Sequence, residues 1–170
     1  MKFKPNYIFI PLITVLVAVI GGAFTSIGMP WYDATLIQPE LTPPKWAFPV
    51  AWNTIFVLTT ISALIVWNKG TGRKGFLAIL LNKKPSELHW WIVGLFILNA
   101  ILNVAWSLLF FVFQMIGAAF VEMIFLELTL VLLIGLTWKV SRLASVLLLP
   151  YAAWVGFASY LTYQIWLLNV

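Results

Sequence analysis

The chain has 170 residues, 63% of them hydrophobic and 9% charged, with a mean hydropathy of +1.02, whereas a soluble domain carries about 25% charged residues. This excludes a soluble globular protein and leaves an integral membrane protein. Cysteine is absent, which excludes disulfides, thiolate metal sites and cysteine nucleophiles; the net charge of +5 reflects basic loops arranged by membrane topology and is not a nucleic-acid footprint.

Five apolar segments, near residues 7–27, 46–67, 90–113, 116–138 and 143–168, are each long enough to cross a ~30 Å hydrocarbon core at about 1.5 Å per residue. The expected fold is an all-α, five-helix membrane bundle in a single domain, 1–170. The first segment follows Lys2 and Lys4, and its length sets it apart from the apolar core of a signal peptide. Ala18, Gly22 and Ser26 on it, like Ala152 and Gly156 on the fifth, suit close small-residue contacts within the bundle or between two copies of a homodimer. The loop from Gly28 to Lys45 holds Trp31, Tyr32, Asp33, Glu40 and prolines 30, 39, 43 and 44, a composition for a stiff, folded lid.

On the second segment Pro49, Trp52, Asn53, Phe56 and Thr60 share one helical face, with Trp46 at its lip beneath the lid. The following loop, Asn68 to Trp90, carries FLAILL (76–81) among basic residues, readable as an interfacial segment or as a disordered loop. Its GTGRKG stretch fits G-x-G-x-x-G through Gly70, Gly72 and Gly75, but no strand precedes it, so a dinucleotide site is rejected. His89, the single histidine, falls at the expected membrane surface in an interfacial role.

Asn99, Asn103, Trp106, Ser107, Phe110 and Gln114 form a polar and aromatic stripe on the third segment. The connection at 114–117 is short enough to make segments three and four antiparallel neighbours. In segment four Glu122 and Glu127 lie some 140° apart at about 100° per residue, too far round the helix for a shared carboxylate pair. Protonation or hydrogen bonding to a neighbour, and a proton or ion relay, are both open for them. Segment five repeats the aromatic face with Tyr151, Trp154, Ala158, Leu161 and Thr162. Of ten basic residues, Lys2, Lys4, Lys69, Arg73, Lys74, Lys83, Lys84, Lys139 and Arg142 fall on one side and Lys45 alone on the other. The positive-inside rule then puts the N-terminus in the cytoplasm and the C-terminus outside. Periodicity alone leaves two accounts of the inward faces, ordinary helix packing or a ligand pocket.

Four stretches carry a resemblance that spans almost the whole chain: WYDATLIQPELTPP (31–44), PPKWAFPVAWNTIF (43–56), NVAWSLLFF (103–111) and LLLPYAAWVGFASYLTYQIWLLN (147–169). In this order they are similar to the translocator protein / tryptophan-rich sensory protein (TspO/MBR) family, also called the peripheral-type benzodiazepine receptor family. The resemblance implies a five-helix bundle whose first loop closes a pocket for porphyrins, such as protoporphyrin IX or haem, and other flat apolar ligands. Carried over by position, the pocket falls on Tyr32 and Pro43, Trp52 and Phe56, Asn103, Trp106 and Ser107, and Trp154, Ala158 and Leu161, with Trp46 beside them. The implied roles are stress sensing or tetrapyrrole control in a bacterial cell membrane. Light- and oxygen-dependent porphyrin breakdown, with Trp52 and Trp154 as the candidate reactive residues, and transport of the ligand across the bilayer are alternatives. No metal site is expected, and porphyrin enters as ligand rather than cofactor. Gln38 and Leu41 depart from the family's usual lid residues. Lys4, Tyr7 and Leu12 fit only a weak reversed sterol pattern, so sterol binding is not expected.

Overall fold

The computed structural model describes residues 4–70 and 87–170. They form α1 (Asn6–Thr35), α2 (Ala47–Gly70), α3 (Glu87–Ser107) continuing into a π-turn (Leu108–Val112), α4 (Ile116–Val140), the short α5 (Arg142–Val146) and α6 (Leu149–Leu168). Counting α3 with its π-turn and α5 with α6, the described residues contain five spans long and apolar enough to cross a bilayer. The protein is an all-α, multi-pass membrane bundle. The segment expected at 76–81, with Gly72 and Gly75, lies outside the described residues.

Three boundaries differ from the sequence expectation, each for a local reason. The first helix does not stop at residue 27 but runs on to Thr35, so the loop expected from Gly28 is confined to residues 36–46. Pro11 and Pro30 lie inside this helix and deprive the carbonyls of Tyr7 and Ser26 of their usual partners. The last two turns are nevertheless held, because Trp31 packs on Phe110 and Tyr32 on both Phe110 and Phe111, with ring centroids 6.0–6.1 Å apart. Gly28 makes this approach possible: a Cβ there would collide with the backbone oxygen of Phe111 and sit 2.6 Å from its Cβ.

The expected continuous third helix changes to π geometry after Ser107, and Gln114 adopts a left-handed φ of 57° to turn the chain into α4. Gln114 therefore leaves the helical stripe on which the sequence placed it. The i→i+5 geometry also shifts the register, and the adjacent Phe110 and Phe111 are both buried. The fifth segment is broken. Pro150 cannot donate to the carbonyl of Val146, so α5 ends there and α6 begins with the proline in its first turn. Ser141 caps α5 through its Oγ, which accepts from the Ala144 amide at 3.5 Å.

As the short 114–117 connection requires, α3 and α4 pack side by side; α4 also packs on α6, and α1 lies against α2, α3 and the π-turn. Polar side chains pin these contacts. Ser62 donates to the Ala144 carbonyl at 2.7 Å, Asn99 to Thr129 at 2.9 Å and Asn103 to the Tyr151 hydroxyl at 2.8 Å. In hydrocarbon each pairing satisfies groups that water cannot reach. His89, in the first turn of α3, is 1% exposed, its ring 5.5 Å from both Trp67 and Trp90, with the Gly70 backbone against its Nδ1.

Candidate ligand cavity

A cavity of about 390 Å³ opens among α1, the 36–46 loop, α2, α3 with its π-turn, and α6. That volume falls in the ~300–1,000 Å³ range of small-molecule sites. Its α1 side is formed by what is missing. Ala18, Gly21 and Gly22 line it, and a Cβ added to Gly22 would meet nothing within 4 Å. Opposite stand Trp52 and Phe56 of α2, tilted 30° with centroids 5.7 Å apart. Trp106 and Phe110 stack at 5.5 Å and 28° on a third side. Ala158, Leu161, Thr162 and Ile165 of α6 complete the wall.

Few polar atoms enter this space. The Asn103 amide nitrogen is taken by Tyr151, and Thr25 Oγ1 donates to the Gly21 carbonyl at 2.9 Å. Among the described residues the indole N–H of Trp106 and the Thr42 hydroxyl are buried with no hydrogen-bond partner, and both residues line the cavity. Lys45 brings a cation to the wall, paired with Asp33 at 2.7 Å on the exposed side. The loop contributes Gln38, Thr42 and Pro43 as well and is tied to the end of α6 through Asn169. Such a wall can hold a flat apolar body between rings.

Most of the residues singled out from sequence meet here. Tyr32, Pro43, Trp52, Phe56, Asn103, Trp106, Ser107, Ala158 and Leu161 all line the cavity. Trp46 and Trp154 do not. Trp46 precedes α2 and is 68% exposed. Trp154 lies behind the wall, edge-on to Phe48 at 5.8 Å and 77°, so Phe48 is the residue that reaches the cavity. Sequence reasoning missed Phe48, Phe111 and Ile165, and the small residues of α1 counted there only as packing contacts. Gln38 lines the cavity, while Leu41 is exposed. Glu122 and Glu127 are outside the wall; both carboxylate oxygens of Glu122, and Oε2 of Glu127, are buried without a hydrogen-bond partner.

Fold and cavity together define a five-span membrane protein with an aromatic internal pocket to whose lining the first loop contributes. Residues 9–167 match the model of the TspO/MBR family, and the chain belongs to that family. It is 36% identical over 151 residues to the tryptophan-rich protein TspO of Chlorobaculum tepidum, covering 88% of this chain and 86% of the relative. Protein CrtK of Rhodobacter capsulatus is 33% identical (87% and 83% covered), and the translocator protein of Ovis aries 31% identical (82% and 75% covered).

Proposed function

We propose that the protein is a membrane receptor for porphyrins and related flat apolar ligands, bound in the cavity between α1, α2, α3 and α6, and that it serves stress sensing or tetrapyrrole control. The observation that carries this reading is the cavity's shape and chemistry. Paired rings, Trp52 with Phe56 and Trp106 with Phe110, face the glycine-hollowed side of α1, and the unpartnered Trp106 N–H lies among them. Offset rings recognise a planar macrocycle by shape. Lys45, at the wall and paired with Asp33, places a cation where the carboxylates at the edge of such a macrocycle could exchange for that partner. Membership of the family supports the same assignment.

The expected affinity is modest. Burying on the order of 400 Å² of macrocycle at about 25 cal/mol per Å² gives some 10 kcal/mol from water, against association costs of about 4–15 kcal/mol. A ligand arriving from lipid gains less, because acyl tails are as apolar as the wall. Half-saturation in the micromolar range follows. The test is a titration of the purified chain with protoporphyrin IX in darkness, followed by tryptophan quenching. Saturation at one porphyrin per chain is expected; quenching that rises linearly without saturating would reject the site.

A further inference from the structure

A second hollow, of about 420 Å³, lies in the half of the bundle nearer the N-terminus, among α1, α2 and α3. Among the described residues only Phe56 and Asn103 touch both hollows, so it is a separate space and stands independently of the porphyrin reading. Its form is a groove. Along α1 it runs from Asn6 to Val17, eleven steps or about 16 Å at 1.5 Å per residue. One leaflet's share of a ~30 Å hydrocarbon core is about 15 Å, the reach of one acyl chain. The groove is hollowed by Ala63 and Ala100, and its rim residues Phe9, Ile13 and Ile97 are exposed on the outer face of the bundle. An apolar hollow open to hydrocarbon fills with hydrocarbon, since water would find too few partners there.

The two ends differ. The inner end is closed by the hydrogen-bonded pair Asn103 and Tyr151. The outer end carries polar groups. Asn6 lines it and is 4% exposed; its Nδ2 donates to Asn68 Oδ1 at 3.4 Å, and Asn68 Nδ2 donates to the Tyr7 hydroxyl at 3.1 Å. Among the described residues Asn6 Oδ1 is buried with no hydrogen-bond partner and calls for a donor. Lys4 precedes the lining residue Pro5 in the chain and adds positive charge at this end.

We propose that this groove is a site for one phospholipid of the leaflet facing the N-terminus, its acyl chain lying between α1 and α3. Its headgroup combines an anionic phosphate for Lys4 with a hydroxyl donor for Asn6, as phosphatidylglycerol does and phosphatidylcholine does not. The site is tested by titrating the purified full chain in detergent with brominated-chain phosphatidylglycerol or brominated-chain phosphatidylcholine. Unbrominated lipid serves as control, and quenching of Trp67 and Trp90, which line the groove, is the readout. Saturation near one lipid per chain is expected, with half-saturation at least fivefold lower for phosphatidylglycerol. Ala63→Phe and Ala100→Phe should each remove most of the saturable quenching while leaving the protoporphyrin titration as in wild type, and Asn6→Leu should abolish the headgroup preference. Linear quenching, equal response to the two headgroups, or saturable quenching that survives both filling substitutions would overturn the proposal. Where a filling variant fails to fold, the wild-type comparison of the two lipids decides alone.

Discussion

Asn169 holds the backbone of Ile37 from both sides: its Oδ1 accepts from the Ile37 amide at 2.9 Å, and its Nδ2 donates to the Ile37 carbonyl at 3.0 Å. The same Nδ2 also donates to the Ile165 carbonyl at 2.7 Å. The 36–46 loop is thereby fastened to the last turn of α6, whose residues Leu161, Thr162 and Ile165 line the cavity. The C-terminal end of the chain is thus tied to a loop that lines the pocket.

Asn169→Ala removes two hydrogen bonds to the loop, each worth about 0.5–1.5 kcal/mol and nearer the lower end at an exposed position. The Ile37 amide should then exchange with solvent about five times faster. Porphyrin dissociation, followed by stopped flow, should accelerate several-fold with little change in association. An unaltered dissociation rate would show that the loop does not govern release.

Two glycines of α1 should respond in opposite ways. At Gly28 a methyl group runs into the Phe111 backbone, so Gly28→Ala should cost about 1–3 kcal/mol through displacement of α1 from the π-turn and lower the thermal midpoint. Gly22 borders open space, so Gly22→Phe should leave the midpoint near that of wild type. Equal losses at both positions would contradict the observed placement of the helix.

That contrast also marks how far the sequence could be read. The five spans were visible because a membrane helix must be long and apolar, and the stripes of α2, α3 and α6 because rings and amides recur at helical spacing. The contribution of α1 was not visible, since its wall consists of absent side chains, and Ala18 and Gly22 read equally well as packing contacts. Gly28-Met29-Pro30 resembles a helix end. Only the packing of Trp31 and Tyr32 on Phe110 and Phe111 keeps the helix going, and that contact joins parts of the chain far apart in sequence. The π-turn likewise has no local signature. Trp154 shares its face with Tyr151 and Ala158, but Phe48 reaches across from α2 and takes the place at the wall.

The different positions of Trp52 and Trp154 sharpen the photochemical alternative. Trp52 lines the cavity, while Trp154 is screened from it by Phe48. If an indole in contact with bound porphyrin takes part in light-driven breakdown, Trp52→Phe should abolish the loss of porphyrin absorbance under illumination, and Trp154→Phe should leave it near the wild-type rate. Identical decay in wild type, both variants and free porphyrin in detergent would remove the enzymatic reading.

Orientation can be read from Ser141, between α4 and α5, and Thr35, at the end of α1. These lie at opposite ends of the bundle; of the described basic residues Lys69, Lys139 and Arg142 lie at the Ser141 end, where Lys69 donates to Ser141, and Lys45 at the other. In intact cells Ser141→Cys should be protected from a membrane-impermeant thiol reagent and Thr35→Cys labelled. The reverse pattern would invert the assignment.

The central claim, that the cavity beside Gly22 is where a porphyrin binds, is tested most directly by titrating protoporphyrin IX in darkness into wild type, Gly22→Phe and Ala63→Phe at equal protein concentration. The account predicts saturation at one porphyrin per chain in the micromolar range for wild type and Ala63→Phe, and at least a tenfold weaker response for a folded Gly22→Phe. The same binding curve for all three proteins would contradict it.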